Sequence, residues 1–97
     1  MPKGYWIAHM DVKDPDAYES YRSAVVLPLS KFGGRFIIRA GTSEIREGKQ
    51  RNRSVVIEFG SYETALACYD SPEYQAVRSL RLNAADGDLM IIEGSGA

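Results

Sequence analysis

His9 is the only histidine in this 97-residue chain, and it stands in a short apolar run, Tyr5-Trp6-Ile7-Ala8-His9-Met10. Two later runs carry a charge among apolar neighbours: Glu58 in Ser54-Val55-Val56-Ile57-Glu58-Phe59, and Arg39 in Arg35-Phe36-Ile37-Ile38-Arg39. If each run is a strand, side chains alternate between its two faces, and His9, Glu58 and Arg39 are predicted to point to one face as a row. A carboxylate beside an imidazole fixes its tautomer and raises its basicity, as a general base requires, and an arginine close by holds a carboxylate or enolate. These three are the candidate catalytic residues. Tyr5, Ile7, Ile37 and Val56 share their parity and are the candidate substrate-binding residues. A structural role competes with this: Glu58 and Arg39 as a cross-strand ion pair, with His9 satisfying a backbone group.

The remaining reactive side chains point to little chemistry. Cys68 precedes Tyr69 on a helical stretch with no histidine in reach, which predicts a buried, inert thiol. One histidine and one cysteine build no zinc site on familiar spacings, so no metal is expected. Gly33-Gly34 follows a helical stretch instead of opening one, which argues against a phosphate loop. Tyr18 and Tyr21 recur at helical spacing and are assigned to the core, not to the site. Arg46, Lys49, Arg51 and Arg53 are assigned to a solvated basic hairpin tip. No organic cofactor is implied by these residues.

The elements that must position the row form a pattern that occurs twice: strand, capped helix, strand. Asp14-Pro15 opens the first helix, with Asp14 as N-cap and Pro15 at the first helical position. Tyr18, Tyr21, Val25, Leu29 and Phe32 form its apolar stripe, and Pro28 is predicted to kink or divide it near Val26-Leu27. Gly33-Gly34 ends it. After the second strand, a polar stretch from Gly41 to Arg53 reads as a long hairpin, with a short strand at 43–46 and a turn at 48–50. Ser61 caps a third helical segment, and Ser71-Pro72-Glu73 restarts helix with Tyr74, Val77 and Leu80 as its stripe. Asp86-Gly87-Asp88 reads as a turn before a last strand from Leu89 to Glu93. Residues 93–97 read as a flexible tail.

This order, β-α-β-β-α-β, predicts an α+β domain of the ferredoxin-like kind spanning residues 1–97: a four-stranded antiparallel sheet with helices on one face. The helix-side set is predicted as Trp6, Ala8, Met10, Phe36, Ile38, Val55, Ile57 and Phe59. The opposite face keeps an apolar area on the order of several hundred Å², near the limit a monomer tolerates. A second copy, packed sheet to sheet with two-fold symmetry, covers it at least cost. A content of 44% hydrophobic and 26% charged residues is ordinary for one globular core, and a net charge of -1 supplies no field for nucleic acid or anionic lipid. The longest apolar runs fall far short of the roughly 20 residues that span a bilayer. With Met1-Pro2-Lys3-Gly4 lacking an apolar signal region and one lone cysteine, a cytoplasmic protein is expected.

Lys3-Gly4-Tyr5-Trp6-Ile7-Ala8-His9, Asp14-Pro15 with Tyr18 and Tyr21, Lys31-Phe32-Gly33-Gly34-Arg35-Phe36, Val55-Val56-Ile57-Glu58-Phe59, Ser61-Tyr62-Glu63 with Ala65, and Tyr69-Asp70-Ser71-Pro72-Glu73-Tyr74-Gln75 together carry a resemblance. The chain resembles the small bacterial proteins grouped as domain of unknown function 1330, in the dimeric α/β-barrel superfamily. The resemblance implies the ferredoxin-like fold and a face-to-face homodimer forming the barrel. It implies no single activity. The wider superfamily includes cofactor-independent monooxygenases, muconolactone-type isomerases, aldoxime dehydratases and haem-handling proteins, with ligands between sheet and helices or inside the barrel. The expected function is therefore binding of a small, partly apolar organic ligand by a homodimer, with proton-transfer, isomerase or monooxygenase-type chemistry at His9. The alternative is a non-enzymatic protein that binds a ligand, or haem through His9 as axial ligand. RNA-recognition modules share the strand order, but the third strand here lacks their exposed aromatics and Glu58 repels phosphate.

Overall fold

A computed structural model describes residues 2–96. The elements run β1 (Gly4–Val12), α1 (Pro15–Ala24), α2 (Val26–Lys31), β2 (Arg35–Arg39), β3 (Arg53–Phe59), α3 (Tyr62–Asp70), α4 (Pro72–Leu82) and β4 (Ala85–Glu93). The strands form one antiparallel sheet in the order β2-β3-β1-β4, so β1 and β3 are central. The helices cover one face, and the molecule is a slab of 36 × 34 × 17 Å. This is the ferredoxin-like α+β arrangement. No helix among the described residues is long and apolar enough to cross a membrane.

Three side chains start the helices, as the sequence predicts. The Asp14 carboxylate accepts from the Ala17 amide at 3.1 Å, and Ser61 and Ser71 accept from the amides of Thr64 and Tyr74, each at 3.1 Å. Pro28 divides the first crossover slightly earlier than expected, between Ala24 and Val26. Proline at 28 has no amide to offer the Ala24 carbonyl one turn back, and its ring crowds that carbonyl, so the break falls there. Gly33 takes φ 72° to end α2. Cys68 is fully buried and its thiol is pushed up to about 12, by burial first and then by the charge of Glu73.

The core joins Trp6, Ala8 and Met10 of β1 and Val55, Ile57 and Phe59 of β3 to Tyr18, Tyr21, Leu29, Tyr74 and Val77 from the helices. Three expectations change. Residues 43–46 form no strand: that polar stretch has no apolar face to hold it to the sheet. Asp86-Gly87-Asp88 is part of β4, paired with Asp11, Met10 and His9, and is not a turn. Gly87 makes that pairing possible, because a Cβ there would collide with the Met10 sulfur and the His9 carbonyl. Finally, β2 carries a bulge between Phe36 and Ile38, which puts Ile38 opposite Val56 and Arg39 opposite Val55. One extra residue reverses the facing of everything after it. Ile38 leaves the helix side and is 50% exposed. At the other end Glu93 closes β4 and the Gly94 amide donates to the Lys3 carbonyl at 2.7 Å, while Ala97 lies outside the described residues.

Candidate functional site

The register lays the uncovered sheet face out in rows. One runs Arg35, Glu58, Tyr5, Ile92; the next Ile38, Val56, Ile7, Met90; the third Ser54, His9, Asp88. Tyr5, Ile7 and Val56 thus share this face, and Ile37, 44% exposed, sits in the bulge beside it. His9 and Glu58 share the face but not a row. The apolar row separates them by four residues along the strand, about 13 Å at roughly 3.3 Å per residue.

Each has other partners. The His9 Nδ1 lies 3.0 Å from the Ser54 hydroxyl. Arg35 donates twice to Glu58 Oε1, at 2.9 and 3.0 Å, and the Tyr5 hydroxyl donates to Oε2 at 3.0 Å. The Arg35 fork holds the Glu58 carboxyl below its usual range, with partial burial opposing and the Tyr5 hydroxyl assisting. The same bond, then burial and the carboxylate charge, raises the Tyr5 phenol. Beside His9 the surface recess is lined by Asp11, Lys49, Gln50, Arg51 and Asp88. There Arg51, which the sequence assigns to a solvated loop tip, clamps Asp11 at 2.9 Å and Asp88 at 3.1 Å. Such polar walls do not suit the macrocycle of a haem.

Arg39 is on the other side of the sheet. Its guanidinium stacks 4.0 Å from the Phe36 ring centre, and it rims a cavity between sheet and helices. The cavity floor is Trp6, Ala8 and Met10 of β1 with Val55 and Ile57 of β3, and Tyr18 and Tyr21 of α1 form a wall. Its volume is about 40 Å³, room for about three waters at roughly 10 to 15 Å³ each. Three further arginines line it: Arg22 of α1, Arg53 of β3 and Arg81 of α4. No carboxylate or histidine is among the lining residues.

Arg81 is only 6% exposed, and among the described residues it has no ion-pair partner. Its Nη2 donates to the Tyr74 hydroxyl at a long 3.5 Å, its Nη1 reaches the Met10 sulfur at 4.0 Å, and its Nε has no hydrogen-bond partner among the described residues. The Tyr21 ring lies 5.8 Å away, and the Tyr21 and Tyr74 hydroxyls are 3.0 Å apart. A ring face returns about 0.5 to 2 kcal/mol to a cation, against a cost of several kcal/mol for taking a guanidinium out of water. The Arg81 fork thus has one long hydrogen bond, one sulfur contact and one ring face as its partners. Burial works against the Arg81 cation, but the Tyr74 and Tyr21 phenols outweigh it and hold its pKa above the ordinary value. Burial, with Tyr74 beside it, raises the Tyr21 phenol, so at neutral pH it is a hydrogen-bond donor and not a base.

The sequence reading missed this cavity. Tyr18 and Tyr21 are core residues, as assigned, but they are also cavity wall. Arg81 falls seven residues after Tyr74 and four after Val77, on the buried stripe, and Arg53 shares the parity of Val55 and Ile57. An arginine on each apolar stripe was the available signal. The bulge that brings Arg39 to the same cavity left no such mark.

The family model for a domain of unknown function (DUF1330) matches residues 3–95. No curated protein matches the chain. Among solved structures, a protein of unknown function from Rhodopseudomonas palustris is 15% identical, with a TM-score of 0.76 over 95% of this chain and 82% of that one. SnoaB, a cofactor-independent oxygenase from Streptomyces nogalater, is 13% identical, with a TM-score of 0.66 over 95% of this chain and 92% of its own. A dimeric ferredoxin-like protein of unknown function from Bacteroides fragilis is 15% identical, with a TM-score of 0.61 over 94% and 95%.

Proposed function

Because this chain belongs to the DUF1330 family, we propose that it works as a homodimer that binds a small, partly apolar organic molecule in the cleft between its sheet and its helices. The observation that carries this reading is the cavity, whose lining combines an apolar floor and aromatic rings with four arginines. Ligand sites combine apolar walls with a few convergent polar groups in this way. As it stands the cavity has room for about three waters, so a ring requires the lining to open, and the exposed Arg39 and the half-buried Arg53 are the lining side chains with the most freedom to move.

The same lining argues for binding before catalysis. It contains no imidazole or carboxylate, and the raised Tyr21 phenol takes no proton at neutral pH. His9 and Glu58 are on the opposite face, which we assign to the dimer contact. The likeness to SnoaB supports a second reading, oxygenase-type chemistry without a cofactor. That reading needs a substrate acidic enough to pass its proton to water, since no lining group takes it.

Trp6 is the only tryptophan, is 1% exposed and forms part of the floor, so its emission reports on occupancy. Titration with benzoate and with benzamide is expected to give a saturable change in Trp6 emission for at least one of the two. Ala8→Phe, which fills the floor, is expected to abolish it while the circular dichroism stays native. Unchanged binding by a folded Ala8→Phe variant would place the site elsewhere.

A further inference from the structure

We propose that the ligand of this cavity is an organic anion, bearing a carboxylate or an equally planar oxyanion, and that Arg81 is the group that receives it. The inference rests on the cavity being the binding site and adds the chemical class of what binds there. Four arginines reach the cavity from four separate elements, α1, β2, β3 and α4, while no acidic side chain lines it. The whole chain has a net charge of -1, so this accumulation of positive charge is local to the cleft.

Buried donors in folded proteins almost always find an acceptor. Here the Nε atoms of Arg22, Arg53 and Arg81 are all buried without one among the described residues. Arg22 spends its Nη1 on Glu19, at 2.8 Å, and still leaves Nε over. Arg53 lies over the Tyr18 ring at 5.4 Å, and Arg81 has the Tyr21 ring at 5.8 Å, the Tyr74 hydroxyl at a long 3.5 Å and the Met10 sulfur at 4.0 Å, which leave the Nε of each without an acceptor among the described residues. A planar oxyanion supplies what is missing, two acceptor atoms spaced to match the fork and a negative charge. The apolar floor and the ring wall select among anions. They disfavour inorganic phosphate, whose oxygens stay hydrated on every side, and favour an anion whose other end is apolar.

The test compares benzoate with benzamide, which share shape and ring and differ in charge. Trp6 emission, checked by calorimetry, is expected to show benzoate binding at least tenfold tighter than benzamide to the wild-type protein. In Arg81→Met that preference is expected to fall to within about twofold, and in Arg53→Gln to drop several-fold. Equal affinity of the wild type for the two probes overturns the inference while leaving the cavity as the binding site. A folded Arg81→Met that retains the full preference also overturns it. Should Arg81→Met not fold, Arg53→Gln at the rim decides, and an undiminished preference there overturns the inference. If neither probe alters Trp6 emission, the cavity is not a binding site for such molecules and both readings fall.

Discussion

Glu58 shares its carboxylate between the Arg35 guanidinium and the Tyr5 hydroxyl, and both partners favour its charged form. A carboxyl depressed by folding adds stability above the ordinary carboxylate range and loses it as pH falls through the depressed value. The melting-temperature gap between the wild type and Glu58→Gln is therefore expected to be largest near about pH 7 and to close towards about pH 3. A gap of equal size at both would show that the charge of Glu58 contributes nothing. That this carboxylate is the one acid of β3 and points to the open sheet face was legible in the alternation of that strand. Its partners were not: the offset between β1 and β3 chose Tyr5 over His9, and the β2 bulge turned Arg39 to the other face and left Arg35 opposite Glu58.

Ser71 shows how much a single element boundary rests on one side chain. Its hydroxyl accepts from the Tyr74 amide at 3.1 Å and donates to the Cys68 carbonyl at 2.7 Å, so it starts α4 and ends α3 together, in a buried setting. Ser71→Ala is expected to cost about 1 to 2 kcal/mol in chemical denaturation. A loss below about 0.5 kcal/mol would mean that water replaces both bonds. Caps of this kind are local, two or three residues apart, and the sequence shows them directly. The bulge in β2 is a different kind of feature, because nothing in Arg35-Phe36-Ile37-Ile38-Arg39 distinguishes a regular strand from one with an extra residue. It is the packing of Phe36 opposite Ile57 and of Ile38 opposite Val56 that requires it.

Across the whole slab, the row of Ile38, Val56, Ile7 and Met90 runs the full width of the sheet face that no helix covers. Ile37, Ile38, Met90 and Ile92 are each between 44 and 52% exposed. A surface of that kind is costly to leave in water, and a second copy related by two-fold symmetry would cover it with the same residues. Light scattering of the wild type is expected to give twice the 10.8 kDa of one chain. Met90→Glu, an exposed change that a folded monomer accommodates, is expected to bring the mass down towards that of one chain. A wild-type monomer at micromolar concentration, or a Met90→Glu variant that remains dimeric, would remove this face as the dimer contact.

The order of strands, the helix side of β1 and β3, the caps and the uncovered apolar face follow from sequence alone, because each depends on periodicity or on neighbours close along the chain. The cavity depends on distances no periodicity encodes. Arg22, Arg39, Arg53 and Arg81 are far apart in sequence and belong to four elements. Only the crossing of α1 and α4 over the sheet, together with one bulged residue in β2, brings their charges around a common apolar floor.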